Sequence, residues 1–152
     1  METTVSLLDD ARRRLVGAPR ESLGLLRTSR WRGDRIVRAG RGWHLGVLLL
    51  TDDAVLETGE ILRAAEEVRR GYTADSARAR AERRAQARRG GFAEGEVLHI
   101  GWQVLDAAAV DAGAASGPLA LLDGEPGVRW SSGGGLVALA GYLDEKIGML
   151  RA

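Results

Sequence analysis

The sequence predicts an α+β fold, an antiparallel β-meander or partial barrel with amphipathic helices at its N- and C-terminal ends. Three observations support this class. Apolar residues recur at helical spacing near both termini, short apolar runs alternate with turn residues between them, and one segment rich in alanine and arginine has almost no apolar face. With 152 residues, of which 45% are hydrophobic, the chain can form one core, so we predict a single domain over residues 1–152.

An N-terminal helix is predicted over residues 3–16. Thr3 or Thr4 can cap its start, and Gly17 followed by Pro19 stops it. Its apolar face consists of Val5, Leu8, Ala11 and Leu15.

Residues 25–67 have the alternation and turn spacing of antiparallel strands. Residues 43–50 are apolar at both alternating positions, which predicts one central strand that is covered on both faces. Shorter strands are predicted, in chain order, over residues 35–39, 55–58, 61–64, 96–102, 118–122 and 128–130.

The alanine- and arginine-rich segment predicts a helix over residues 75–89, because its helix propensity is high although it lacks an apolar face. We call residues 66–91 the basic arm and expect it to be an exposed helical arm or insertion. Its arginines are Arg78, Arg80, Arg83, Arg84, Arg88 and Arg89.

The last apolar pattern predicts a C-terminal amphipathic helix over residues 136–150. A serine- and glycine-rich loop directly precedes it. Exposed N–H groups and the positive end of the helix dipole predict an anion-binding site there, whereas a flexible entry with a serine cap is the alternative. The loop residues are Ser131, Ser132, Gly133, Gly134 and Gly135.

Charge is unevenly distributed along the chain. Residues 27–89 contain fifteen arginines and nine carboxylates, whereas residues 94–128 contain six carboxylates and no basic residue. This asymmetry suits an anionic partner, self-association or pairing within the fold. A second arginine cluster is interleaved with Trp31 and Trp43, which offer stacking surfaces for nucleic acid. Its members are Arg27, Arg30, Arg32, Arg35, Arg38 and Arg41.

Recognisable catalytic and metal-binding sets are missing from the sequence. There is no cysteine, and two histidines are fewer than the three or four ligands that a metal usually needs, so we predict no metal and no cofactor. The only lysine, Lys146, does not complete a Ser-x-x-Lys motif, because position 143 is Leu143. The residues left to examine for catalysis are Ser131, Ser132, His44 and His99.

The sequence predicts no membrane span. Its longest strongly apolar run, residues 45–50, is far shorter than the roughly 20 residues that cross a bilayer. The first residues lack the basic and apolar regions of a secretory signal, so we expect a cytoplasmic protein.

Four segments within residues 25–105 carry a resemblance. They read Arg41-Gly-Trp-His-Leu-Gly-Val-Leu-Leu-Leu, Thr58-Gly-Glu, Arg63-Ala and Gly91-Phe-Ala-Glu-Gly-Glu-Val. Together they resemble a family of small actinobacterial proteins whose members are often labelled glutaminase, and this resemblance implies amide hydrolysis. A strand meander closed by one C-terminal helix also resembles pleckstrin-homology and GRAM-like domains, which implies a binding module.

From these observations we predict a noncatalytic interaction domain whose partner is a protein, a second copy of the chain or an anion. A small glutaminase-like amidohydrolase is one alternative. Binding of an anion or nucleic acid through the arginine clusters is another, and it predicts an affinity that falls steeply with salt.

Overall fold

The computed structural model describes residues 2–66 and 74–152, and it confirms the predicted α+β class. The described strands form mixed sheets and no closed barrel. In chain order the elements are α1 (Thr4–Leu15), β1 (Glu21–Arg27), β2 (Arg35–Leu45), β3 (Leu48–Leu50), β4 (Val55–Glu57), β5 (Glu60–Arg63), α2 (Asp75–Arg89), β6 (Val97–Ile100), β7 (Gln103–Val104), α3 (Ala107–Asp111), β8 (Leu119–Leu122), β9 (Glu125–Val128), β10 (Val137–Ala138) and α4 (Leu139–Arg151).

These elements belong to two units. The helical unit comprises Met1–Arg20, Gly42–Thr58 and Trp102–Ala152, and the arginine-rich unit comprises Glu21–Arg41 and Gly59–Gly101. No described helix has both the length and the apolar character needed to cross a membrane.

The helical unit packs α1 against α3 and α4. The predicted N-terminal helix is confirmed: Thr3 caps α1, and Leu8, Ala11 and Leu15 are buried on its inner face. Its sheets have the strand orders β2-β3-β4-β7 and β10-β9-β8. The core between these elements includes Trp43, Leu45, Leu48, Leu50, Val110, Leu119, Leu139 and Leu143.

Asp111, the last residue of α3, supplies a second cap to α1. Its carboxylate accepts hydrogen bonds from the backbone N–H groups of Thr4, at 2.7 Å, and Val5, at 3.1 Å. Burial acts to raise the pKa of Asp111, but these N–H donors stabilise the charged form and bring the pKa below 3.8. The start of α1 is therefore held by a residue more than a hundred positions away in the chain.

The predicted single strand over residues 43–50 is wrong, because the chain reverses direction inside it. Trp43 pairs with Leu50 and Leu45 pairs with Leu48, so β2 and β3 form a tight hairpin. Gly46 has a φ of 65° at the turn, where a side chain is strained. A Cβ at Gly46 would also collide with the hydroxyl of Tyr142. An apolar run of this kind thus comes from a hairpin as well as from one covered strand.

The arginine-rich unit contains strands in the order β5-β6-β1-β2. Although β5 and β6 are antiparallel, β1 and β6 are parallel, with Ser22 opposite Leu98 and Leu23 opposite His99. A parallel pair is an addition to the predicted antiparallel meander. The core of this unit contains Ile36, Leu62, Ala64, Ala87, Phe92 and Leu98.

Helix α2 forms at the predicted bounds within the basic arm, of which residues 67–73 lie outside the described residues. Its first half is exposed, as predicted. Its second half packs on the unit, because Ala85 and Ala87 are buried.

The C-terminal helix is confirmed but begins at Leu139, three residues after the predicted start. Residues 137–138 form the edge strand β10 instead, pairing with β9.

Candidate functional site

The arginines of α2 are largely committed to partners within their own unit. Glu60 accepts hydrogen bonds from Arg80 and Arg83 at 3.2 and 2.9 Å. Arg88 donates to the carbonyl of Phe92 at 2.8 Å and lies 3.4 Å from both Glu66 and Glu94. These contacts favour pairing within the fold as the main role of this arginine cluster.

Arginines of α2 also cover the open edge of β5. One edge of β5 pairs with β6, and carbonyl groups on its other edge accept hydrogen bonds from α2. Arg80 donates to the carbonyl of Ile61 at 3.3 Å, and Arg84 donates to the carbonyl of Arg63 at 2.9 Å. An uncovered edge strand is a template for aggregation, so α2 protects the sheet.

One region of the second arginine cluster differs from α2. We call it the basic loop and define it as residues 27–35, from the last residue of β1 to the first residue of the adjacent strand β2. Arg27, Arg30 and Arg32 are exposed, and within the described part of the chain none of them forms an ion pair with a carboxylate. Three guanidinium groups are thereby available to an anionic partner.

Hydrogen bonds fix the shape of the basic loop. The hydroxyl of Ser29 accepts from the backbone N–H of Trp31 at 3.3 Å and of Arg32 at 3.1 Å, which closes a local turn. Arg89 of α2 donates to the carbonyl of Asp34 at 3.1 Å and so supports the end of the loop. The loop is an anchored projection of the sheet.

Trp31 is at the tip of the basic loop with 95% of its surface exposed. Trp43, which the sequence suggested as a second stacking surface, is 1% exposed in the core of the helical unit, so that expectation is wrong. Its indole N–H donates to the carbonyl of Ala18 at 3.2 Å, and Arg20 stacks on its ring.

Two leucines extend the apolar surface beside the basic loop. Leu25 is 44% exposed and Leu26 is 52% exposed, whereas Leu23 is buried earlier in the same strand. The end of β1 therefore extends beyond the core before it enters the loop. It adds apolar surface next to Trp31 and the three arginines in the chain.

Arg38 of the same cluster has a structural role. Its guanidinium group makes two hydrogen bonds to Glu96, at 2.7 and 2.6 Å, and lies 4.5 Å from the centroid of the Phe92 ring. Arg38, the N–H of Ala93 and the hydroxyl of Ser22 stabilise the carboxylate and lower the pKa of Glu96 from 4.5 to about 2. Arg38 is therefore less available to a partner.

The two histidines lie in different units. His99 is fully buried in the arginine-rich unit, where its Nε2 donates to Glu21 at 3.0 Å. His44 lies in the helical unit, and its Nε2 donates to the carbonyl of Gly46 at 2.9 Å. Within the described residues, no hydrogen bond joins His44 to Ser131 or Ser132. The contact that activates a serine nucleophile is thus not formed between these groups.

The serine- and glycine-rich loop does not form the first turn of α4, which corrects the premise of the predicted anion site. Ala138 is the N-cap of α4, and β10 separates the loop from it. Within the loop, the N–H of Gly134 donates to the carbonyl of Ser131 at 3.3 Å, and the Gly134 carbonyl accepts from Arg129 at 2.7 Å.

The patterns in the sequence did not predict a groove that lies beside α4. We call it the α4 groove; its volume is about 530 Å³, and its lining includes Val47, Trp130, Val137, Tyr142, Glu145 and Lys146. A sequence signal that could have pointed to it is Lys146, the single lysine in a chain that otherwise uses arginine.

Comparisons with protein-family models, with curated proteins and with solved structures found no match to this chain. The resemblance to actinobacterial proteins and the amide hydrolysis that it implies stay predictions. Ammonia release from glutamine, and its loss in Ser132→Ala, would test that hydrolysis.

Proposed function

We propose that this chain is a noncatalytic binding domain that docks on an anionic lipid surface through its basic loop. The observation that carries the proposal is the 95% exposure of Trp31 between arginines that make no ion pair in the described part of the chain. A large aromatic side chain gains free energy when it leaves water, so such exposure at a fixed loop tip favours a partner that buries it.

The arginines supply the attraction to an anionic surface. Residues 21–41 contain six arginines and only two carboxylates, Glu21 and Asp34. Each basic residue near an anionic membrane contributes about 1 kcal/mol, and this contribution is reduced by salt. Arg27, Arg30 and Arg32, which form no ion pair with a described carboxylate, therefore favour docking, and they also orient the loop tip towards the surface.

The apolar residues favour a lipid surface over a nucleic acid. Tryptophan is preferred at the boundary between water and hydrocarbon, where its ring is buried and its N–H stays hydrated. Leu25 and Leu26 can enter the same layer, whereas they offer nothing to a phosphate backbone. Binding of single strands normally uses several aromatic platforms, and in the basic loop Trp31 is the single one.

The test is co-sedimentation of the protein with vesicles of phosphatidylcholine alone and of phosphatidylcholine with phosphatidylglycerol. We expect binding to the anionic vesicles at low salt and its loss at high salt. Trp31→Ala should weaken binding at least about tenfold, since a buried large apolar side chain contributes about 1.5–3 kcal/mol. Arg30→Gln should weaken it about fivefold.

Two matched controls separate the loop from general charge and hydrophobicity. Met149→Ala removes another exposed large apolar side chain, one that does not line the α4 groove, and Arg13→Gln removes an exposed arginine of the helical unit. Both variants should bind like the original protein. Equal losses in the controls, or no binding to anionic vesicles, would contradict the proposal. A single-stranded oligonucleotide that binds through Trp31 when vesicles do not would replace the lipid surface with a nucleic acid.

A further inference from the structure

We infer that the α4 groove is a second binding site, for a small molecule with an aromatic or aliphatic body and one carboxylate group. This site lies within the helical unit and does not depend on the basic loop. Its volume of about 530 Å³ falls in the range of small-molecule sites, and its lining combines apolar surface with a few polar groups.

Hydrogen bonds build one side of the α4 groove before any ligand arrives. The hydroxyl of Tyr142 donates to the carbonyl of Leu45 and accepts from the N–H of Val47, both at 2.8 Å. This pair of bonds ties the hairpin turn at Gly46 to α4. Burial raises the pKa of Tyr142, so the hydroxyl stays protonated and keeps both bonds. The turn therefore needs no rearrangement to line the groove.

Exposed apolar side chains provide the surface for the ligand body. Trp130 is 57% exposed and Val137 is 37% exposed, and both line the groove. Gly141 faces open space, because a Cβ built on it has no neighbour within 4 Å. A glycine in the middle of a helix costs about 0.5–1 kcal/mol relative to alanine. Its presence here leaves room that a side chain would fill.

Lys146 selects the charge of the ligand. Its ammonium group lies 5.5 Å from the centroid of the Tyr142 ring, and it has no ion-paired carboxylate among the described residues. One ammonium is a point charge that suits a single carboxylate, whereas a phosphate usually needs more donors. Glu145 also lines the groove and repels a second negative charge. The two residues together favour a monoanion.

The test compares 2-naphthoate with its neutral analogue 2-naphthamide, using the indole N–H signal of Trp130 in NMR titrations. We expect 2-naphthoate to bind more tightly. Lys146→Met should weaken 2-naphthoate about fivefold, as expected for a partly exposed ion pair, and leave 2-naphthamide unchanged. Glu145→Gln should strengthen 2-naphthoate binding.

Gly141→Leu should abolish binding of both compounds by filling the groove. Its matched control is Gly148→Leu, at a second exposed glycine of α4 that also faces open space and does not line the groove. Circular dichroism checks that both variants are folded. Equal affinity for the two compounds would overturn the carboxylate preference. No shift of the Trp130 signal, or binding that survives Gly141→Leu, would overturn the site itself.

Discussion

The ion pair between Arg38 and Glu96 should make the arginine-rich unit sensitive to acid. Glu96 is 23% exposed and Arg38 is 50% exposed, so the pair is only partly shielded from water. Lowering the pKa of Glu96 from 4.5 to about 2 corresponds to a contribution of at most about 3 kcal/mol to the free energy of unfolding. Solvent screening of the half-exposed guanidinium lowers the expected contribution to about 1–2 kcal/mol.

The pH dependence of this contribution follows from the ionisation state of Glu96 that the folded protein stabilises. Because the folded protein lowers the pKa of Glu96, the contribution is fully present above the unfolded pKa of 4.5. It is lost as the pH falls from there towards about 2. Glu96→Gln should therefore lower the free energy of unfolding by about 1–2 kcal/mol at neutral pH. The loss should be much smaller as the pH approaches about 2.

Urea unfolding followed by far-UV circular dichroism, at neutral pH and at about pH 3, measures this difference. The control is Glu82→Gln, which removes a carboxylate that is 48% exposed and pairs with Arg89 in the same unit. An exposed pair contributes at most about 1 kcal/mol, so the control should change stability little. If Glu96→Gln cost as much near pH 3 as at neutral pH, the reasoning would be refuted.

Three further predictions concern stability. Asp111→Ala should lower the free energy of unfolding by about 1 kcal/mol, because it removes the second cap of α1. Since the folded state lowers the pKa of Asp111, this loss should shrink as the pH falls below the ordinary carboxyl range. Gly90→Ala should cost at least about 2 kcal/mol, since its Cβ would overlap the backbone of β2, whereas Gly133→Ala, in open space, should cost little. Gly141→Ala should stabilise the helical unit by about 0.5–1 kcal/mol. Thermal unfolding measures all of these changes, and a destabilised Gly141→Ala would show that this position is not open.

Local patterns in the sequence were sufficient to predict elements whose structure depends mainly on their own residues. The apolar spacing of α1, with a threonine cap and a glycine stop, predicted that helix to within one residue at each end. The alanine-rich composition of residues 75–89 predicted the bounds of α2, because helix propensity there does not depend on a partner. The strand over residues 43–50 failed, because one covered strand and a buried hairpin give the same apolar pattern.

For the candidate sites, sequence identified the residue types but not their availability. It named two arginine clusters, and the tryptophans Trp31 and Trp43, without distinguishing among them. The structure commits the arginines of α2 to Glu60 and to the carbonyls of β5, while those of the basic loop meet no carboxylate among the described residues. Partners of this kind come from distant parts of the chain, so no spacing rule reports them.

By itself, then, the sequence determined the α+β class and the helices at both ends, because periodicity and propensity act over a few neighbouring residues. Only the tertiary structure decided that β1 pairs in parallel with β6, that Trp43 is buried, and that Trp31 is exposed. Burial and pairing depend on which segments meet after folding. The same kind of side chain becomes part of the core, covers a strand edge or stays exposed according to what packs against it.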